Sequence, residues 1–265
     1  MKNYLLLFIS ILLFIIIISY LYTSFFIYKS YSTKENYENP QNAVHFLSKQ
    51  DSQEFIMNDI DNYIKNMTKY DLYARKVKDG NEYINKIVYG CLDFTEEQKE
   101  KLKRCIIRAE KFFNNGYNWN LSQIDYVYEE GFPHTRGTIM FLSPSIINYN
   151  DDELTKTLIH ESIHIYQRFN KKEVNEYLKK YGIQISRKKG TQEKDKLIRA
   201  NPDLDEYIYM DDKGNEMIAY YNSEKPNGIG DIYLTNLSNE HPYEKMAYEF
   251  ADNYYKSLLV KYKDV

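Results

Sequence analysis

The sequence predicts an α+β fold with a small mixed sheet, preceded by one N-terminal transmembrane helix. Three observations carry this: an uninterrupted apolar run opens the chain, amphipathic helical stretches flank two short β-rich runs, and no internal repeat is evident. At 265 residues with 43% hydrophobic content, the chain is long enough for one sizeable domain plus an appendage.

No residue from 3 to 28 is charged, and 5–18 is apolar except for Ser10. As a helix this stretch covers about 39 Å at about 1.5 Å per residue, enough to cross a bilayer. A cleaved signal peptide would end at a small-residue site, yet the first alanine is Ala43, so residues 1–28 read as a retained anchor. Tyr20, Tyr22, Phe25, Phe26 and Tyr28 fit an aromatic belt on its far side. The short stub before the span favours a single-pass arrangement with the catalytic bulk extracytoplasmic or lumenal, and the sequons at Asn66, Asn120 and Asn236 are compatible with that. Residues 29–45 are polar, mixed in sign and interrupted by Pro40, and read as a stalk; the folded domain is then 46–265.

Within the domain, Phe55, Ile56, Ile60, Tyr63, Ile64 and Met67 recur at spacings of three and four, predicting a helix in the stretch 52–77. Thr95 lies three residues before Gln98, a capping-box spacing, ahead of a strongly amphipathic run through Phe113. These two helices are expected to pack on each other. The β-rich runs at 123–131 and 138–143 predict a hairpin or two sheet strands, separated by the turn-forming residues 131–137. Asp151 and Asp152 supply helix-start carboxylates for a helix whose apolar face holds Leu154, Leu158 and Ile165. Residues 206–221 read as a hairpin about Lys213 and Gly214, 231–236 as one more strand, and the stretch from His241 as a terminal helix with Pro242 in its first turn.

The net charge of -3, with lysines and glutamates interspersed, leaves no basic field for nucleic acid. The 28 tyrosines make any single Tyr uninformative. Cys91 and Cys105 fit either a disulfide in an oxidising compartment or two buried thiols in a reducing one.

The chemistry concentrates in "TLIHESIHIYQR", residues 157–168. On a helix, His160 and His164 stand one turn apart on one face and can offer two imidazole nitrogens to one cation, a geometry zinc accepts. Glu161 lies about 100° around the helix, where its carboxylate can act as general base on a water at the ion without taking a coordination position. Thr157, Leu158, Ile159, Ser162, Ile163, Ile165 and Tyr166 are uncharged, as a metal-bearing helix buried in a core requires. Only five histidines occur in the chain, so this pairing around a glutamate is rarely accidental. No further histidine follows at metzincin spacing, so the third ligand lies elsewhere.

The terminal segment offers Glu244, Ala247, Phe250 and Ala251 in the spacing E-x-x-A-x-x-F-A. Here the chain resembles the gluzincin class of zinc metallopeptidases, in particular the ImmA/IrrE-type and Ste24-type families, in which a glutamate three residues before a small alanine completes the site. The resemblance covers residues 138–168 and 241–252. It implies a zincin-like fold, Zn2+ bound by His160, His164 and Glu244, Glu161 as the catalytic base, and a peptide or protein substrate. Glu249 and Glu240 stand as rival third ligands. It also implies that the strand at 138–143 is the sheet edge lining the cleft, onto which substrate would add as a strand. Tyr220, Tyr221, His241 and His134 are candidate donors to the transition state, and Gln167 and Arg168 read as support or packing residues. The expectation is therefore a membrane-anchored zinc metalloendopeptidase. The alternative is a catalytically inactive zincin-like domain serving as a membrane-tethered binding or structural protein.

Overall fold

A computed structural model describes residues 39–126, 128–235 and 239–261. The anchor at 1–28, residues 29–38 of the stalk, and Asn236 lie outside the described residues. No helix among the described residues is long and apolar enough to cross a membrane.

The architecture is mixed α/β with small sheets. The central sheet is five-stranded: β1 (Val44–Phe46), β3 (Trp119–Ile124) and β5 (Ile139–Leu142) run parallel in that order, and β4 (His134–Arg136) closes one edge antiparallel to β5. The two-residue β2 (Cys91–Leu92) pairs with the end of β3. Because β1 belongs to this sheet, and Gln41 and Asn42 donate backbone N–H to Glu110, the folded unit starts before residue 46. The stalk boundary read from sequence thus shifts towards the N-terminus.

Alternation along the central strands feeds two cores. Trp119, Leu121, Met140 and Leu142 face a cluster built with α4 (Glu96–Phe112), the short α5 (Pro144–Ile147), α6 (Asp151–Phe169) and α8 (Pro242–Lys261). Ile124 and Phe141 face the opposite cluster, formed with α1 (Lys49–Asn58) and α3 (Gly80–Tyr89). The expected packing of the first two predicted helices on each other is therefore not found. Their partners differ: α1 packs on α3, and α4 packs on α6.

The helix predicted over 52–77 is also interrupted. It stops at Asp59, which takes φ 41°, and resumes as α2 (Lys69–Ala74) behind its own Thr68–Asp71 capping box. Asp59 accepts from the backbone N–H of Ile64 and Lys65, and with Asp61 it receives the buried Arg136 guanidinium at 2.6 Å. These charge-assisted bonds outweigh helical continuation, while Tyr63, Ile64 and Met67 still reach the core from the turn.

The stretch 131–137, read as a turn between strands, contains β4 itself. β4 and β5 form a hairpin through Gly137 and Thr138, with Gly137 at φ +59°, as a two-residue hairpin loop demands. The residues before β4 are unusual: Glu129, Glu130 and Gly131 all have positive φ. Glu129 is held there by the guanidinium of Arg75, at 2.7 Å, and by the Tyr83 hydroxyl.

A three-stranded sheet of β6 (Gln184–Lys188), β7 (Tyr207–Met210) and β8 (Glu216–Met217) packs with α7 (Lys171–Lys180) against the later turns of α6 and the start of α8. Its β7–β8 turn falls at Lys213 and Gly214, as the sequence predicts. A separate hairpin, β9 (Ala219–Tyr221) with β10 (Ile232–Leu234), borders the cleft described below. Cys91 and Cys105 are buried free thiols in different clusters, and burial pushes both up to about 11. Asn120 sits inside the central β3 with its amide donated to Thr138, which leaves that sequon a poor sugar acceptor.

Candidate metal centre

α6 starts cleanly. Asn150 caps it by accepting the Glu153 N–H at 2.9 Å, and Asp151, Asp152 and Glu153 place negative charge on the positive end of the helix dipole. From Leu154 to Gln167 most of its residues are buried. α8 crosses it closely because Ala247 and Ala251, at 0% and 1% exposure, present only methyl groups at the contact. That approach decides where Glu244 lies.

Glu244 Oε2 stands 3.3 Å from His160 Nε2 and 3.7 Å from His164 Nε2, and the two imidazole nitrogens are 3.1 Å apart. The three donor atoms thus converge on one point. Glu249 is carried to the other side of α8, where it accepts from the hydroxyls of Tyr177 and Tyr181 and from Lys245. Glu240 pairs with Arg199 at 2.5 Å and with Asn201 at 2.9 Å. Of the three acids weighed from the sequence, Glu244 is the one brought to the histidines.

Gln167 sets the orientation of His164. Its amide N–H donates to the Tyr243 carbonyl at 2.9 Å on α8, so its oxygen faces His164 Nδ1 at 3.0 Å and accepts that N–H. The other ring nitrogen, Nε2, is thereby turned towards Glu244 and His160. Arg168 extends the other way, donating to the Thr135 carbonyl and hydroxyl and to the Pro202 carbonyl.

Glu161 is 2% exposed, and its Oε2 has no hydrogen-bond partner. Burial, reinforced by the Asp203 carboxylate, holds it well above the usual carboxylate range. His164 is opposed by burial, yet Asp203 and Glu244 outweigh this and raise it to about 10. Burial likewise opposes the Glu244 charge, and the two histidines override it, keeping the carboxyl well below its ordinary value. Asp203, which nothing in the sequence marks, also forms a second close grouping with Glu161 and His164.

The site opens on a cleft of about 890 Å³. One wall is a single face of α6 through Thr157, His160 and Glu161; another is a face of α8 through Glu244 and Tyr248, with Glu240 just ahead of that helix. Phe132, Pro133 and His134 form the sheet side. The edge strand at the cleft is therefore β4, whereas β5, expected there from sequence, is interior between β3 and β4. The outward N–H of Thr135 already donates to Asp203 at 3.0 Å, and its carbonyl accepts from Arg168 at 3.0 Å, so the main-chain groups that would receive an added strand are engaged.

Among the expected donors, Tyr221 bonds Asp71, and His241 is buried against Asp205, where its Nδ1 caps α8 by accepting the Tyr243 N–H. Tyr220 is buried away from the cleft lining, and His134 alone of the four lines it. Tyr248, missed in the sequence, packs on His160 with ring centroids 4.5 Å apart; its spacing of four from Glu244 on one helix face was the available signal.

Two imidazole nitrogens and one carboxylate oxygen are the donor set of a catalytic zinc ion, and an unpartnered buried carboxylate beside them suits a group that handles a water proton. No known protein family, curated protein or solved structure matches this chain.

Proposed function

We propose that the chain is a zinc-dependent metallopeptidase tethered to a membrane by residues 1–28, with its folded domain extracytoplasmic or lumenal. His160, His164 and Glu244 would hold the ion, and Glu161 is the general base. One observation supports this above the others: the three donor atoms meet beside the orphaned Glu161 Oε2, at the base of an open cleft. A purely structural ion would have no use for that second carboxylate.

A zinc ion bound there supplies Lewis acidity, polarising the scissile carbonyl and acidifying water. Glu161 Oε2 accepts the proton as the water oxygen attacks the carbonyl carbon, and returns it to the amide nitrogen as the C–N bond breaks. Burial serves this cycle: a carboxylate with raised proton affinity is a stronger base towards water than an exposed one. Tyr248 and His134 are cleft-lining groups that can donate to the developing oxyanion.

Elemental analysis of the purified full-length chain should give about one zinc per chain, lost in His160→Ala. Glu161→Gln should keep the metal and lose cleavage of denatured casein by about 10²–10⁴-fold. Wild-type protein without metal would discard the reading, and a Glu161→Gln variant with full activity would discard the assigned base.

A further inference from the structure

We propose that Asn201 is a positioning residue for the metal centre, its side-chain amide fixing which oxygen of Glu244 faces the two imidazoles. This rests on the metallopeptidase reading above. Asn201 lies in the connection between α7 and α8, far in sequence from either ligand-bearing motif. Its Nδ2 donates to Glu244 Oε1 at 2.9 Å and to Glu240 Oε1 at 2.9 Å, while its Oδ1 accepts the backbone N–H of Asp203 at 2.9 Å. The acceptor role of Oδ1 settles the amide orientation, and both amide hydrogens are then spent, one on each carboxylate.

The consequence for Glu244 is geometric. With Oε1 tied to Asn201, it is Oε2 that stands 3.3 Å from His160 Nε2 and 3.7 Å from His164 Nε2. A carboxylate without that tether rotates about its terminal bond and loses the fixed lone-pair direction an ion requires. The same amide stands between two buried acids, Glu240 just ahead of α8 and Glu244 in its first turn, giving each a donor where they would otherwise face each other. Gln167 performs the corresponding service for His164, so two of the three donor atoms are each held by a neutral amide.

The test compares wild type, Asn201→Ala and Glu240→Gln as full-length protein in detergent, reading the apparent zinc Kd by competition with a fluorescent chelator and the rise in Tm on adding zinc. Asn201→Ala should weaken zinc binding by about 10–100-fold and shrink the zinc-induced Tm rise, with Glu240→Gln little changed. Asn201→Ser, smaller and with a single donor, is read the same way should the alanine variant not fold. Zinc binding as tight as wild type in Asn201→Ala overturns this assignment alone. An equal loss in Glu240→Gln also overturns it, because the effect then comes through Glu240. A wild-type chain that binds no zinc overturns it together with the metallopeptidase reading.

Discussion

Gln167→Leu separates the helix-bridging role of this residue from simple packing. The side chain is fully buried and joins His164 on α6 to the Tyr243 carbonyl on α8. Leucine fills a similar volume, so the loss is polar: the buried His164 Nδ1–H is left without a partner, and the Tyr243 carbonyl keeps only its donor within α8. At about 1–3 kcal/mol for the orphaned group, the variant should be less stable by about that amount. For a chain of this size that corresponds to a Tm lowered by about 2–12 °C. Thermal unfolding followed by circular dichroism, with a chelator present so that metal contributes nothing, measures this directly. Zinc titration of the same protein should show affinity reduced by about 10–100-fold, because the His164 ring is no longer held. Gln167→Glu makes the contrast: it keeps an acceptor for His164 but sets a carboxylate against the Tyr243 carbonyl, so stability falls while zinc affinity is largely retained. Unchanged Tm and unchanged zinc affinity in Gln167→Leu would refute the reasoning.

Ala247→Leu should cost about 1–3 kcal/mol by overpacking the α6–α8 contact and should lower zinc content by moving Glu244 away, whereas Asn253→Leu on the exposed face stays within about 0.5 kcal/mol; Tm and metal analysis read both. Tyr248→Phe should lower kcat about 10²-fold on casein with zinc content intact, and an unaffected rate would remove Tyr248 from the donor role. Glu129 supplies a pH test. Burial opposes its charge, but Arg75 prevails and brings its pKa from 4.5 down to about 2. A depressed carboxyl contributes stability that is complete above its unfolded value and disappears as pH falls from 4.5 towards 2. The contribution is about 3 kcal/mol at neutral pH, and urea midpoints across that window should slope steeply in wild type and flatten in Glu129→Gln.

Local signals carried the parts of the fold that local chemistry decides. The Thr95–Gln98 capping box, the turn at Lys213 and Gly214, and the alternating faces of the α6 sequence are each determined within a few residues, and each stands where its pattern predicts. The E-x-x-A spacing around Glu244 was legible through the family resemblance, and its physical content is local: Glu244 and the small Ala247 lie three residues apart on α8, and the alanine lets the two helices touch. Features imposed from a distance left no such trace. The break at Asp59 depends on Arg136, and the apolar period continues through it because Tyr63 and Ile64 remain buried in the turn. The strand β4 hides behind Gly131 and Pro133, residues that signal a turn, and its character comes from pairing with β5. Asn201 and Asp203 look like ordinary turn chemistry until the chain folds back on α8 and β4.

The clasp of Asp203 and Arg168 on Thr135 has a further effect on how this molecule meets others. An exposed strand margin is a template on which any polypeptide can polymerise, regardless of its side chains. With that rail quenched from within, neither a neighbouring copy nor a passing unfolded chain can zip on at this position by backbone complementarity. Selectivity at this margin then falls to shape and side-chain chemistry, and edge-to-edge growth is blocked along it.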